Sequence, residues 1–314
     1  MLAIVAPGQG AQTPGFLSPW LTEQSFAERL DALAEVVELD LRRYGTEADA
    51  DTIRDTAVAQ PLLVVAGLLA AEQLFPAGGY GPAGVAAGHS VGEITAAAGV
   101  GVLSAEDAMV FVRERGRSMA AAAAATPTSM TAVVGGKPDE VLTAIEAQAL
   151  TPANHNGSGQ IVAAGTVEQL AALAENPPAR ARLIPLSVAG AFHTDHMSPA
   201  VDHLTALATS MTTHHPTTRL LSNADGRIVD DGDEVLHRLV AQVASPVRWD
   251  LCLATMAELG VTGLLELPPA GTLTGIAKRN LKGVELLALN TPDQLPEAAE
   301  FVTRHAAWTQ PNEA

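Results

Sequence analysis

The chain has 314 residues, 47 % of them hydrophobic and only 4 % aromatic, with 18 Lys and Arg against 35 Asp and Glu and a formal net charge of −17. That balance excludes the basic stripes from which nucleic-acid and anionic-membrane binding draw their affinity, and the apolar content excludes a disordered chain. A core poor in aromatics must be built from Ala, Leu and Val in helices and buried strands, which fits an α/β protein.

Along the chain, Leu2 to Ala6 is a short apolar run with no basic segment before it, so it reads as a first buried strand and not as a signal peptide. Segments from about Ser25 to Val37 and from about Gln60 to Leu74 have helical period. The longest apolar run, Leu62 to Ala71, is about half a membrane span and ends at Glu72 and Gln73, so a cytoplasmic, reducing setting is expected. Val85 to Ala87 is a strand running into a Gly-rich turn. The next helix opens on Ser104 and Asp107, a capping-box-like start, and continues to about Ala124.

Between about Thr126 and Ser187 the order becomes strand, helix, two strands, helix, strand, which predicts a small ferredoxin-like subdomain inserted into the larger domain. A helix from about Pro199 to Met211, helices from Val235 and Trp249, a strand over Leu264 to Leu267, a helix over Thr272 to Lys278 and a strand over Val284 to Leu289 complete the chain. The polar tail after Thr309 is expected to fray. Short apolar runs alternating with helices imply a parallel sheet under crossover helices. The expected organisation is therefore a large α/β-hydrolase-like domain from residues 1–125 and 188–314, with the small subdomain at 126–187. The single cysteine, Cys252, lies between leucines and reads as a buried small hydrophobe.

Gly88-His89-Ser90-Val91-Gly92 matches G-x-S-x-G between a strand and a helix. Small glycines permit the sharp turn that presents a serine hydroxyl at a helix N-terminus, so Ser90 is a candidate nucleophile. Such a serine needs a base, and its oxyanion needs two N–H donors. On sequence alone His193 and His196, in the small-residue stretch Ala189 to Met197, stand nearly equal as base. His89 adjoins the serine and is assigned to packing.

In order, the chain carries Pro7-Gly-Gln-Gly-Ala-Gln12, Ala59-Gln-Pro61, Gly88-His-Ser-Val-Gly92, Arg115-Gly-Arg-Ser-Met119, Asn154-His-Asn-Gly-Ser-Gly-Gln160, Ala191-Phe-His193, Pro246-Val-Arg-Trp249 and Thr274-Gly-Ile-Ala-Lys-Arg279. Through this whole series it resembles the malonyl-CoA:acyl-carrier-protein transacylases of fatty-acid synthesis and the related acyltransferase domains of polyketide synthases. A departure is Pro268-Pro-Ala-Gly271, where many relatives have a Gly-Pro-Gly turn.

The resemblance implies that malonyl-CoA and an acyl carrier protein are the partners, and that Ser90 carries the malonyl group in a ping-pong transfer. It makes His193 the base, the N–H groups of Gln9 and Val91 the oxyanion hole, and the backbone carbonyl of Gln242 the partner that orients the imidazole. Arg115 would hold the malonyl carboxylate in a planar fork; without the resemblance, Arg115 reads equally as paired with Glu114 on a solvated face. Phe192 and Val91 are of the malonyl-selecting type, while Gln60, Asn154 and Asn156 would line the pocket. Lys278, Arg279 and Lys282 form a basic cluster suited to an acidic carrier protein. No metal or tightly held cofactor is expected, because no His, Cys or carboxylate cluster has ligand spacing. The alternatives are a serine esterase or thioesterase of α/β-hydrolase or patatin type, which needs an acid for its triad or dyad, and a non-catalytic carrier-binding subunit.

Overall fold

The structure, a computed structural model, describes residues 1–188 and 190–306; the tail after Thr309 lies outside the described residues. Its elements in chain order begin with β1 (Leu2–Ala6), α1 (Gln24–Val37), α2 (Leu41–Thr46), α3 (Thr56–Leu74), β2 (Val85–Gly88), α4 (Gly92–Gly99) and α5 (Ala105–Ala125). Next come β3 (Thr128–Gly135), α6 (Pro138–Ala147), β4 (Thr151–His155), β5 (Gln160–Thr166), α7 (Val167–Glu175) and β6 (Ala181–Pro185). The chain closes with α8 (Ser198–Ala208), β7 (Arg219–Leu221), β8 (Ile228–Val229), α9 (Gly232–Ala241), α10 (Trp249–Glu258), β9 (Gly263–Glu266), α11 (Thr272–Asn280), β10 (Glu285–Ala288) and α12 (Leu295–Ala306).

A six-stranded sheet has the order β10-β9-β1-β2-β7-β8 and is parallel except for the β7–β8 pair at one edge. Its centre is buried on both faces. In β1, Leu2 and Ile4 join the core under α1, α3, α5 and α8, while Ala3 and Val5 join the core under α10 and α11, as a two-residue strand period dictates. The chain leaves β1 toward β2 on one side and later returns through β9 on the other. The carboxyl ends of β1 and β2 therefore open on a topological switch point, where α/β sheets bind ligands.

The second sheet, β4-β5-β3-β6, is antiparallel throughout and is crossed by α6 and α7. This is the βαββαβ ferredoxin-like arrangement read from the sequence. It has its own apolar cluster, including Val133, Val141, Ile145 and Leu173. An isolated parallel bridge between Asn154 and Val247 ties β4 to the loop before α10.

Five elements differ from the sequence reading. Helix α3 begins at Thr56, not near Gln60, because the Asp55 side chain accepts the Ala57 N–H and caps it. Pro61 is accommodated inside, with Gln60 and Pro61 both buried. The whole helix is long and apolar enough to cross a membrane, yet most of its side chains are buried within the protein. Strands β7 and β8 and helices α2 and α12 are absent from the sequence reading. Three residues of β7 are too few to show a period, and α12 places only Ala298, Phe301 and Val302 in the core.

The Pro268 to Gly271 turn is held by Glu266, whose buried carboxylate accepts the N–H groups of Gly271, Leu273 and Thr274. It thereby caps α11 at the end where helix N–H groups lack partners.

Two glycines of opposite expected tolerance test the packing. A Cβ on Gly92 would lie 2.2 Å from the Ala6 carbonyl oxygen, whereas a Cβ on Gly275 in α11 meets nothing within 4 Å. Gly92→Ala should lower stability by at least ~2 kcal/mol, because backbone must move. Gly275→Ala should be neutral or stabilising by about 0.5–1 kcal/mol. Thermal unfolding of both variants, ranked against the parent, checks this order.

Candidate active site

Strand β2 ends at Gly88 and α4 begins at Gly92, so Ser90 sits at the middle of a three-residue turn with φ 53°. The left-handed backbone at a non-glycine residue is strained and is held only by surrounding contacts. Glycines make it possible. A Cβ at Gly88 would fall 1.9 Å from the Gly92 carbonyl carbon, and Gly92 itself rests on Ala6. Asn223, just beyond β7, clamps the turn: its Oδ1 accepts the Ser90 N–H at 2.8 Å and its Nδ2 donates to the Gly88 carbonyl at 2.8 Å.

Of the two candidate bases, the structure brings His193 and not His196 to the serine. His193 Nε2 lies 2.7 Å from Ser90 Oγ. On the other side of the ring, Nδ1–H donates to the backbone carbonyl of Gln242 at 2.8 Å, so the tautomer with a bare Nε2 is fixed. No carboxylate touches the imidazole among the described residues, and Asp195 is exposed. His193 is itself at φ 63°, and its N–H donates to Val243 at 3.1 Å. Burial, and then the Arg115 charge, push its pKa down to about 3, against the pull of the Gln242 carbonyl. The ring is a neutral base.

Arg115 is 1 % exposed and reaches the serine from α5. The backbones of α5 and α3 approach closely at Gly116, where a Cβ would meet the Thr56 oxygen at 2.9 Å. This brings Arg115 Nη1 to Gln60 Oε1 at 2.7 Å, while Nη2 donates to Gln242 Oε1 at 2.8 Å and lies 3.4 Å from Ser90 Oγ. Nε has no partner. Among the described residues no carboxylate pairs with this guanidinium; Glu114 is taken by Arg113, Arg117 and His203. Burial lowers the Arg115 pKa to about 10, offset in part by Glu93, so it remains a cation at neutral pH.

The N–H groups of Gln9 and Val91 follow the ends of β1 and β2, and among the described residues no protein acceptor takes either. Phe192 is buried beside His193 and packs against the Gly190 position. From the small sheet, Asn156 Oδ1 lies 2.9 Å from His89 Nε2, and the His89 ring meets Trp249 edge-on. Asn154 is buried with its Oδ1 unpartnered. Lys278, Arg279 and Lys282 are exposed at the far end of α11. Arg279 Nη2 donates to Gln160 Oε1 at 2.9 Å, which places the cluster against the β4–β5 turn. Among the described residues no group of His, Cys, Asp and Glu has metal-site geometry.

Two residues of the site were missed in the sequence, Glu93 and Asn223. Glu93 had a signal, a lone charge in the apolar run Gly92 to Gly99. Asn223 had none beyond following a strand too short to recognise.

Residues 4–303 match the family described as acyl transferase domain. A malonyl CoA-acyl carrier protein transacylase of Mycobacterium tuberculosis is 51 % identical over 302 residues, covering 96 % of this chain and all of that one. A crystal structure of MCAT from Mycobacterium tuberculosis, 51 % identical, superposes with a TM-score of 0.91 over 95 % of this chain and 99 % of that one. A malonyl-transacylase in complex with a type II polyketide acyl-carrier protein is 29 % identical, with a TM-score of 0.87 over 95 % and 99 % of the two chains. The chain belongs to the acyl transferase family, among its malonyl CoA-acyl carrier protein transacylases.

The low basicity of His193 has a readable consequence. If its unprotonated ring activates Ser90, a neutral sulfonyl fluoride should label Ser90 at a level rate from about pH 8 down to about pH 5, where an ordinary imidazole of pKa ~6.5 would be mostly protonated. The sign follows from the shift: a depressed pKa keeps the base form at lower pH. Half-loss of labelling near pH 6.5, followed by mass spectrometry, would contradict it.

Proposed function

We infer that this protein transfers malonyl from malonyl-CoA to the phosphopantetheine thiol of an acyl carrier protein, in two half-reactions through a malonyl ester on Ser90. The observation that carries the reading is Arg115, a buried guanidinium beside the nucleophile with neutral amides for partners and no anion of its own. A carboxylate arriving on the acyl group supplies the missing charge and accepts the fork in two charge-assisted hydrogen bonds.

In the first half-reaction His193 Nε2 takes the Ser90 proton as Oγ adds to the thioester carbonyl. The oxyanion forms against the N–H groups of Gln9 and Val91, which among the described residues have no protein acceptor. Collapse breaks the C–S bond, and the imidazolium gives its proton to the departing CoA sulfur. In the second, His193 takes the proton of the carrier's thiol, the sulfur adds to the ester, and the proton returns to Ser90 Oγ as the C–O bond breaks. The Gln242 carbonyl holds the ring through both halves, in the place where many hydrolases put a carboxylate. The esterase alternative needs that carboxylate, and among the described residues no acid lies against His193 or Ser90 Oγ.

Phe192 is the proposed wall against α-branched acyl groups, with Gln60 holding Arg115 and Asn154 and Asn156 lining the side facing the small sheet. We divide the chain into residues 1–125 with 188–314, and 126–187, on the support of the separate sheet and apolar cluster of the latter. A cytoplasmic setting accords with CoA thioester chemistry and with the lone, buried Cys252.

Incubated with malonyl-CoA, the protein should gain one malonyl group by intact mass, and Ser90→Ala none; equal labelling of the alanine variant would sink the assignment. Arg115→Ala should cost malonyl transfer on the order of 2–5 kcal/mol, about 30-fold to several thousand-fold. Acetyl transfer should fall far less, and equal losses would show that Arg115 does not read the carboxylate.

The carrier surface is proposed at Lys278, Arg279 and Lys282, where local positive charge opposes the −17 of the whole chain. Since Arg279 also bonds Gln160, the cleaner test reverses Lys278 and Lys282 to Glu. The KM for carrier protein should rise and its salt dependence weaken, with acylation by malonyl-CoA much less affected. Unchanged carrier kinetics would move the docking surface elsewhere.

A further inference from the structure

Glu93 stands on α4 three residues after the nucleophile, 6 % exposed, in a helix that otherwise buries Ile94, Thr95, Ala96 and Ala97. A carboxylate there is costly unless its oxygens find donors. Oε1 accepts the Asn223 N–H at 2.6 Å, and Oε2 accepts from the side-chain amide of Gln242. It touches neither Ser90 Oγ nor His193, so it exchanges no proton with the reacting groups.

The amide it holds is the junction of the site. Gln242 Oε1 accepts from Arg115, while Nε2 donates toward Glu93, the Ser90 carbonyl at 3.1 Å and, more distantly, Asn223 Oδ1 at 3.4 Å. An amide has one accepting and one donating end. With a cationic donor on one side and a carboxylate on the other, a single orientation satisfies both. The reverse sets NH2 against guanidinium and oxygen against carboxylate.

We propose that Glu93 is a positioning residue for substrate selection: by accepting from Gln242 it keeps the carbonyl end of that amide on Arg115, and so holds the guanidinium where the acyl carboxylate arrives. The proposal rests on the reading that Arg115 receives that carboxylate. Three groups surround the Glu93 carboxyl from other elements: Arg115 from α5, Arg238 from α9 and Cys252 from α10. Burial lifts its pKa to about 8, against the hydrogen bonds from Asn223 and Gln242 and then the two arginines, which favour its anion.

Glu93→Gln separates positioning from support. The new side chain is isosteric; its oxygen can keep the Asn223 N–H, and its NH2 can donate to Gln242 only if the Gln242 amide turns over. The bond to position 93 is then remade, but Arg115 faces an NH2 group and the Ser90 carbonyl loses its Gln242 donor. The Gln242 backbone carbonyl does not turn with the side chain, so His193 keeps its partner. The defect therefore falls on carboxylate recognition.

Kinetics measured above pH 8, where Glu93 accepts on both oxygens, should show KM for malonyl-CoA raised on the order of tenfold in Glu93→Gln. The malonyl-to-acetyl ratio of kcat/KM should fall by a similar factor. Labelling of Ser90 by a neutral sulfonyl fluoride should change less than about threefold, and the melting temperature should hold. An unchanged ratio overturns the proposal, as does an equal loss toward malonyl-CoA, acetyl-CoA and the sulfonyl fluoride, which would make Glu93 a support for the turn alone. If the variant does not fold, the ratio is read in Gln242→Met, which removes the amide and leaves Glu93; an unchanged ratio there also overturns it. Arg115→Ala, run in parallel, tells the two readings apart: no change of ratio there defeats the Arg115 assignment, whereas a change there without one in Glu93→Gln defeats only the role of Glu93.

Discussion

The close approach of Gly92 to the Ala6 carbonyl, one central strand resting on the start of the helix that follows its neighbour, is the constraint on which the site depends. It sets the end of β1, with Gln9, against the end of β2, with Ser90, and leaves no room for a side chain between them. The serine can then occupy only a left-handed backbone, and Asn223 fastens it by both its amide and the preceding carbonyl. Strain at Ser90 is thus supported by the packing of β1 on α4 and by Asn223 in the turn after β7, and strain at His193 by its bonds to Val243 and Gln242.

Charge is arranged on the same principle of leaving something unspent. Arg115 is surrounded by amide oxygens, which hold its direction but do not neutralise it, and burial, reinforced by the same positive field, keeps the neighbouring imidazole unprotonated. On the proposed mechanism one cation thereby serves two ends: it is ready for an anionic acyl group, and it helps burial to keep the base in its reactive form. A carboxylate partner for His193, as in a hydrolase triad, would sit in the field of Arg115 and compete with the substrate for it.

Much of this was legible in the residues. The alternation of short apolar runs with helices showed a parallel sheet, and the βαββαβ order between Thr126 and Ser187 showed the inserted antiparallel one, because strand and helix periods differ clearly over such lengths. The strand, turn and helix around Ser90 were visible for the same reason. Distances across the fold were not. By spacing and composition His193 and His196 are equivalent; the resemblance at Ala191-Phe-His193 favours the first, and the physical reason, the Gln242 carbonyl brought to its ring, is visible only in the fold. Arg115 lies among Arg113, Glu114 and Arg117, and nothing in that string says which of its charges is buried. Strand β7 is too short to show a period, so Asn223 went unread; Glu93 stood out in an apolar run, but its partners come from segments 130 and 149 residues away.

The two unspent N–H groups carry a geometric consequence on the mechanism proposed. The Ser90 N–H is taken by Asn223, so the oxyanion cannot slip by one residue along the turn, and its place between Gln9 and Val91 is set. A tetrahedral carbon has four substituents. Oγ of Ser90 is fixed by the turn, the oxyanion by these two donors, and the acyl chain by the guanidinium that grips its far end. The fourth direction, the one left for sulfur, is therefore the same whether the sulfur is leaving with CoA or arriving on the carrier. Both thiols must use one entrance, and neither can be in place while the other is. A covalent ester that outlives the departure of the first thiol is then a requirement of the stereochemistry.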